Sequence, residues 1–379
     1  MRIIFSRKGF DSSSGGCPSP VLPGGRLLPL PIPDARSAIR YRDLQMEGVN
    51  AGRLVSQLTR YRVKSSSGAH LDPDLLNGHL PRLAGWRPLL GQTGSAQGHL
   101  SKQGVQPGDL FLFFGLFREA EIYQRRWRFI PGVAARHLLW GWLQVDEIVH
   151  VDSLIPGEQP WLNYHPHLHG QPDSNNTLYL ARQSLSLPGL KHLDGSGVFR
   201  QFDPGLQLTQ PGSDKPSVWQ LPAWFYPGDR PPLSYHQKAQ GWQINRSHCL
   251  LKAVVRGQEL VLQAGHYTQY AEWLYPLLIL PCRLHAVFSA FHFAGITRGD
   301  IEIALERPGE TRYVRKAQFI CQNALRYIAV LQQKAGPVHT PGHNVLLRSL
   351  AKFFLTEVVK MAFTQIQDVS QFQIARWTG

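Results

Sequence analysis

The chain has 379 residues, of which 43% are hydrophobic and 17% charged, and its formal net charge is +14. This composition excludes an intrinsically disordered protein, and the length predicts two domains or one large domain with an elaboration. The longest apolar runs, such as residues 138–145 and 274–280, are far shorter than the roughly 20 residues of a membrane-spanning helix. We therefore expect no membrane insertion. Residues 1–10 lack the apolar core of a secretory signal, which predicts a cytoplasmic location.

Arginine supplies most of the positive charge, with 29 arginines against 11 lysines. Guanidinium groups make bidentate contacts to phosphate and guanine and stack on bases, whereas a surface built only for solubility more readily uses lysine. This bias favours a polyanionic partner, nucleic acid above all, over generic basicity.

The cysteines are widely separated and form no CxxC pair, so their spacing supports neither a zinc ribbon nor a disulfide framework. We expect reduced, mostly buried thiols. The four positions are Cys17, Cys249, Cys282 and Cys321.

In chain order, residues 2–6 predict a first strand, and the proline-rich residues 18–33 predict extended structure. Residues 35–62 have a partly helical apolar pattern, whereas the Gly, Pro, Asn and Gln content of residues 70–105 predicts loops. The clearest strand pair comprises residues 110–115 and 138–145, and its local pattern resembles the core hairpin of small PUA-like barrels. Further strands are predicted at 177–180, 218–221, 250–255 and 259–262.

The predicted fold class is therefore α+β, with a curled, PUA-like, β-rich core over residues 1–280. From residue 281 the pattern changes, and residues 314–333 and 344–366 have apolar side chains at helical spacing. We expect residues 281–379 to form a mainly helical C-terminal region.

Three histidines, His165, His167 and His169, alternate along one segment. On an extended strand they would face one side and could hold a metal. The alternatives are a catalytic or nucleotide-contacting role and a structural loop, the latter favoured by the intervening Pro166.

His70 and Asp72 form a second group that could perform general acid–base chemistry. The structural alternative is a turn or a helix start at Pro73, since Asp before Pro is common in both.

Arg7, Lys8 and Asp11 precede a Ser/Gly run whose backbone N–H groups could cradle a phosphate. The alternative is a merely flexible loop, and the segment matches neither the P-loop nor the dinucleotide motif. Gln92 and His99 flank a run of small residues and are weaker candidates for nucleotide contact.

A basic and aromatic segment, Arg125, Arg126, Trp127 and Arg128, suits phosphate pairing together with stacking on an unstacked base. Trp127 could equally belong to the core.

With these motifs in order, the first 280 residues resemble the nucleotide modification associated domain 3 family. The match rests on several motifs: SRKGFDSS from Ser6, PSP from Pro18, LPIP from Leu30, HLDPD from His70, GQ from Gly91, GDLFLFFG from Gly108, HPH from His165, NTLY from Asn176, WQLP from Trp219 and GQE from Gly257. The resemblance implies association with systems that make or process hypermodified DNA bases. It also implies a set of functional positions: Ser6, Arg7, Lys8, Asp11, His70, Asp72, Gln92, His99, His165 and His167.

Two main hypotheses follow. In an enzyme, Asp72 or His70 would be the general base, His165 and His167 would orient substrate or hold a metal, and Arg7 and Lys8 would neutralise a phosphate. In a non-catalytic reader, a PUA-like barrel would accept a flipped, modified base, with Trp127 or a neighbouring aromatic side chain stacking on it. A third alternative is a scaffold for a partner modification enzyme. The sequence identifies no cofactor.

Overall fold

The computed structural model describes residues 1–46, 48–170, 172–254 and 259–280. The helices predicted between residues 281 and 379, and with them the proposed domain division, lie outside the described residues.

The described part of the chain is an α+β structure, as the sequence predicts, with three α-helices and seventeen mostly short strands. The helices are α1 (Ala51–Leu58), α2 (Gly94–Lys102) and α3 (Tyr270–Leu278). The strands are β1 (Ile3–Arg7), β2 (Ser19–Leu22), β3 (Arg26–Leu27), β4 (Ile32–Pro33), β5 (Gln45–Met46), β6 (Val49–Asn50), β7 (Ala69–His70), β8 (Leu89–Gln92), β9 (Leu110–Tyr123), β10 (Arg126–Phe129), β11 (Arg136–His150), β12 (Thr177–Ala181), β13 (Ser196–Val198), β14 (Val218–Pro222), β15 (Trp242–Ile244), β16 (His248–Lys252) and β17 (Glu259–Leu262).

One mixed sheet organises the molecule, with the strand order β17-β1-β9-β11-β12-β8. Strand β9 pairs in parallel with β1 and antiparallel with β11, which confirms the predicted strand pair. The predicted strands at residues 177–180, 218–221 and 259–262 are present as β12, β14 and β17, and β16 overlaps the run predicted at 250–255. Residues 110–113 of β9 are fully buried, because the sheet is covered on both faces there.

The sheet is open over the described residues, so the PUA-like barrel is not confirmed. The outermost strands of this path, β17 and β8, are not paired with each other. The side chain of Gln92, at the end of β8, nevertheless donates a hydrogen bond to Glu259, at the start of β17. The sheet must therefore curl strongly enough to bring its two ends together, and the candidate site described below lies where they meet.

Residues 70–105 contain β8 and α2, contrary to the predicted loops. Strand β8 forms because it pairs with β12, from Gln92 opposite Thr177 to Leu89 opposite Leu180. Helix α2 buries Leu100 completely and is bound to the sheet through Gln97, whose Oε1 accepts a hydrogen bond from the Tyr179 hydroxyl at 2.8 Å. Long-range packing thus overrides the weak local propensity of a Gly- and Gln-rich segment.

Two further observations concern the cysteines and the helices of the described residues. Cys17 and Cys249 are buried free thiols, as expected. No described helix has the length and apolar character needed to cross a bilayer.

Candidate functional site

The candidate site is a group of polar side chains drawn from distant segments, which we call the site cluster. Ser6 and Glu259 face each other in register across β1 and β17. Two members, His70 and Gln92, are the last residues of β7 and β8. The others lie in the segments that follow β1 and β7 or precede β12. The complete cluster is Ser6, Lys8, His70, Asp72, Gln92, His165, His167 and Glu259.

Asp72 lies at the centre of the site cluster, and its side chain is only 3% exposed. The Gly91 N–H donates to its Oδ1 at 2.6 Å, and His165 Nε2 lies 3.5 Å from the same oxygen. Its Oδ2 lies 3.9 Å from Lys8 Nζ and 3.7 Å from His167 Nε2. Burial by itself raises the pKa of Asp72, but the nearby His165, Lys8 and His167 outweigh it and hold that pKa well below its usual range. Asp72 is therefore a permanent anion and a weak base.

Glu259 is the second buried carboxyl group, with a side chain 1% exposed. Its Oε1 accepts hydrogen bonds from Ser6 Oγ at 3.0 Å and from Gln92, and it lies 3.7 Å from Lys8 Nζ. Its Oε2 is buried without a hydrogen-bond partner. Burial, reinforced by the negative charge of Asp72, raises the pKa of Glu259 despite Lys8. One lysine thus lies between two carboxyl groups whose pKa values are shifted in opposite directions.

Two histidines of the site cluster have dedicated hydrogen-bond partners. His70 Nδ1 lies 3.0 Å from Asp34 Oδ2, and His167 Nδ1 lies 2.7 Å from Asn176 Oδ1. Burial lowers the pKa of His167 to about 4, so this imidazole is neutral near pH 7. His70, Asp72 and His167 each offer one ligand atom, and these three atoms lie within 4.8 Å of one another, which makes them the group that could hold a metal.

His165 is fully buried, and neither of its ring nitrogens has a hydrogen-bond partner among the described residues. Buried polar atoms are almost always paired, so an unpaired imidazole beside a carboxylate requires an explanation. A functional site that receives a ligand supplies one.

A buried ion pair next to the site cluster holds its loops. Asp74 is fully buried and accepts hydrogen bonds from Arg82 Nη2 at 2.8 Å and from the Tyr164 hydroxyl at 2.6 Å. Arg82 Nη1 lies 2.7 Å from the other carboxylate oxygen, Oδ2. Because Asp74 follows Asp72 and Tyr164 precedes His165, this contact positions both loops that supply the site cluster.

A family model covers most of this structure: the model described as nucleotide modification associated domain 3 matches residues 2–263. The chain belongs to this family. Searches of curated proteins and of solved structures found no match. The family match spans every member of the site cluster, from Ser6 to Glu259.

The fold does not bring all of the predicted site residues together. Lys8, His70, Asp72, Gln92, His165 and His167 meet in the site cluster. Arg7 instead pairs with Asp11 at 2.6 Å. Asp11 Oδ1 accepts hydrogen bonds from the N–H groups of Ser13 and Ser14 at 2.8 and 2.7 Å. The predicted phosphate cradle therefore already contains a carboxylate, which occupies its donors.

The alternating histidines do not lie on an extended strand. Residues Pro166–Leu168 form a short 3₁₀ helix, and only two of the three imidazoles, those of His165 and His167, lie beside Asp72. His167 faces Asp72, whereas His169 is exposed and its Nε2 lies 2.6 Å from the Asn163 carbonyl oxygen. The predicted helix start at Pro73 is also absent, since no helix begins between residues 70 and 76.

His99 lies on α2 and contacts two neighbouring residues of another segment. Its Nε2 lies 3.0 Å from Ser234 Oγ, and its ring stacks on Tyr235 with centroids 4.2 Å apart.

The basic and aromatic segment forms the hairpin of β9 and β10. Gln124 and Arg125 make its turn with φ values of 48° and 64°, and Arg125 and Arg126 are exposed. Trp127 packs against the hydrophobic cluster around α1. Arg128 lies 3.6 Å from the centre of the Tyr123 ring and 2.8 Å from Glu121. The exposed aromatic side chain at this turn is therefore Tyr123, a neighbour of the partly buried Trp127.

The hairpin turn is distant from the site cluster. The Lys8 N–H donates to the Phe114 carbonyl, and Tyr123 lies nine residues further along β9. At about 3.3 Å per residue, the turn lies roughly 30 Å along the strand from Lys8.

Sequence reasoning missed three polar residues of this region. Glu259 belongs to the last family motif, but nothing local distinguishes it as functional. Asp34 and Asn176 act through the histidines that they orient, and their partners lie 36 and 9 residues away. Asn176 is the first residue of the NTLY motif, and that motif is the sequence feature that could have indicated it.

Proposed function

We propose that this protein is an enzyme that modifies a nucleic-acid base, with DNA as the favoured substrate, and that the reaction takes place at the site cluster. The observation that supports this most strongly is the pair of buried carboxyl groups, Asp72 and Glu259, whose pKa values are shifted apart around one lysine. Such opposed shifts are typical of acid–base machinery.

In this proposal Glu259 exchanges a proton with the substrate, because burial raises its pKa and makes it a stronger base than Asp72, whose pKa is lowered. Asp72 remains charged and orients the groups around it. Lys8 neutralises these two carboxylates and not a substrate phosphate. Substrate approaches past His70, whose side chain is 21% exposed and therefore the most accessible of the three potential ligands.

A purely structural ion-pair network is the competing explanation. Such networks place each buried charge against an opposite charge, as Asp74 and Arg82 do. The site cluster differs in leaving a whole buried imidazole, His165, without a hydrogen bond at either nitrogen, together with Glu259 Oε2, which favours a site that is completed by a ligand.

Nucleic acid is favoured as substrate by the family name, the net charge of +14 and the exposed arginines of the hairpin. The product in this proposal is a hypermodified base, made by this chain alone or together with a partner modification enzyme.

The non-catalytic reader receives less support. An apolar cleft lined by Leu30, Leu71 and Leu75 reaches Asp72, but its cavity volume is about 40 Å³. Ligand pockets for drug-sized molecules occupy about 300–1,000 Å³. A flipped base requires a wider opening than this cleft whether it is read or modified, so the cleft does not separate the two functions. The opposed pKa shifts of Asp72 and Glu259 do, because a binding pocket has no need of them.

The test is a mass-resolved inventory of the nucleosides in DNA and RNA from cells that produce the protein. Wild-type protein is compared with Glu259→Gln, which keeps the side-chain shape, and with Glu158→Gln, an exposed control. We expect an altered nucleoside with wild type and with the control but not with Glu259→Gln. If wild type produces an altered nucleoside and Glu259→Gln still produces it at the same level, the proposed role of Glu259 is contradicted.

A further inference from the structure

We infer that His70, Asp72 and His167 bind one divalent transition-metal ion. Their ligand atoms lie within 4.8 Å of one another, close enough to meet around a single ion after small side-chain adjustments. The three residues come from two separate loops that the Asp74–Arg82–Tyr164 contacts hold in place. This inference concerns binding and does not depend on which reaction the protein catalyses.

The hydrogen bonds of His167 define which nitrogen is available. The Asn176 amide orientation is determined because its Nδ2 donates to the His167 carbonyl oxygen at 2.7 Å. Its Oδ1 therefore accepts from His167 Nδ1–H, and Nε2 carries the lone pair. That lone pair lies 3.7 Å from the charged Asp72 Oδ2, so two electron-rich atoms face each other. A cation between them explains the arrangement.

The hydrogen bond of His70 likewise occupies one ring nitrogen and leaves the other available. Its Nδ1 lies 3.0 Å from Asp34 Oδ2, and a carboxylate can only accept, so Nδ1 carries a proton and Nε2 is the nitrogen left for a metal ion. Metal-binding histidines almost always donate their other N–H to a carboxylate, a carbonyl or a similar acceptor. Both histidines of this site do so.

His165 provides an independent observation. It is fully buried, both of its nitrogens lack hydrogen-bond partners, and Nε2 lies 3.5 Å from Asp72 Oδ1. An ion on Asp72, with its own bound water, would give this imidazole a partner. The surroundings of Asp72 are therefore incomplete in the way expected of a metal site.

The ligand chemistry selects the kind of ion. Two imidazoles and one carboxylate suit Fe²⁺, Mn²⁺, Co²⁺ or Zn²⁺ and leave coordination positions open, whereas Mg²⁺ and Ca²⁺ prefer oxygen ligands alone. Lys8 Nζ lies 3.9 Å from Asp72 Oδ2 and competes with the ion for it.

The experiment uses the full chain without a histidine tag, stripped with chelator and dialysed to equilibrium against each of the four ions, with Fe²⁺ under anaerobic conditions. Bound metal is measured by mass spectrometry of the elements. We expect one ion per chain for at least one metal. We expect His167→Gln and Asp72→Asn to bind at least about 100-fold more weakly, and Asn176→Ala to bind about 10–100-fold more weakly.

His169→Gln is the matched control, because His169 is a neighbouring but exposed histidine, and its metal binding should equal that of wild type. Melting curves without metal establish that each variant is folded. Where Asp72→Asn melts early, His70→Gln decides the outcome, since His70 is partly exposed and its replacement disturbs the core least.

Visible absorption of the Co²⁺ form provides a second measurement. The ligand-field bands should change in His70→Gln and His167→Gln and remain unchanged in His169→Gln. Binding well below one ion per chain for all four metals, or unweakened binding in folded His167→Gln and His70→Gln, would overturn the inference. Metal binding without any altered nucleoside would support the metal site and contradict only the proposed function.

Discussion

At the scale of single residues, Gly91 shows why the site cluster needs a residue without a side chain. Its N–H donates to Asp72 Oδ1 at 2.6 Å, and a Cβ at this position would overlap the imidazole of His167. The close approach of backbone and ring therefore requires glycine. The GQ motif of the sequence acquires a physical meaning: its glycine admits His167, and its glutamine bonds to Glu259.

Gly91→Ala should displace His167 and lower both metal affinity and nucleoside production by at least about tenfold, the lower limit for a disturbed ligand environment. The matched control is Gly98→Ala in α2, where a Cβ meets nothing within 4 Å. Alanine there should stabilise the helix by about 0.5–1 kcal/mol and leave the site unchanged. Equal metal affinity in the two variants would show that His167 does not depend on this contact.

His137 lies outside the site cluster and controls how stability depends on pH. It is buried in β11, and its Nδ1 accepts a hydrogen bond from Trp219 Nε1–H at 3.0 Å. Burial, together with the charge of Arg7, lowers its pKa to about 3. Between this value and the ordinary histidine pKa of about 6.5, the unfolded chain binds a proton that the folded chain does not.

The free energy of unfolding should therefore fall as the pH decreases from about 6.5 towards 3, by up to about 1.4 kcal/mol per pH unit from this residue. Above pH 6.5 His137 should contribute no slope. His137→Gln keeps an acceptor for Trp219 and removes the titration, so urea unfolding of this variant should depend less on pH. His192→Gln, at an exposed position, serves as control. A slope in His137→Gln equal to that of wild type would contradict this assignment.

At the scale of elements, the strands were predictable and the helices were less so. The runs that form β9 and β11 are apolar and long enough to define buried strands by themselves. Helix α2 has Gly94 and Gly98 within nine residues, and its burial of Leu100 depends on contacts that only the folded chain provides. A weakly helical segment of this kind cannot be recognised from local pattern.

Among the described residues, the hairpin of β9 and β10 is a candidate element for contact with a polyanion. Arg125 and Arg126 are exposed at its turn, and Arg128 lies over Tyr123. If the hairpin binds DNA phosphates, replacing Arg125 and Arg126 together with alanine should weaken binding at every sequence. The slope of log K against log salt concentration should become shallower by about two.

The control for the hairpin is the double variant Lys238→Ala and Arg246→Ala, which removes the same charge from exposed positions elsewhere. Fluorescence anisotropy over a salt series measures both variants. An equal loss of DNA affinity in the two double variants would assign DNA binding to overall charge and not to the hairpin.

At the scale of the whole molecule, the site cluster exists because the sheet curls. Gln92 and Glu259 are 167 residues apart in sequence and belong to strands at opposite ends of the sheet order, yet they are hydrogen-bonded. The sequence indicated His70, Asp72, His165 and His167 as chemistry-bearing residues. It could not indicate that they share one site with Glu259, since their proximity arises only from long-range folding.

The same limit applies to residues that are neighbours in sequence but separate in the structure. Arg7 and Asp11 are close in sequence to Lys8, but they pair with each other and leave only Lys8 in the site cluster. His169 follows His167 by two residues, but the short 3₁₀ helix turns it to solvent. Proximity in sequence predicted a common function, and local backbone geometry separated these side chains.

We propose that the site cluster carries out nucleotide modification. The most direct test compares the nucleoside inventory of wild type with those of Asp72→Asn, Glu259→Gln and the Arg125/Arg126 double variant. We predict that the nucleoside altered by wild type is absent with both Asp72→Asn and Glu259→Gln, and that it is reduced but present with the hairpin variant. A nucleoside that persists at wild-type level in both folded site variants would contradict the account.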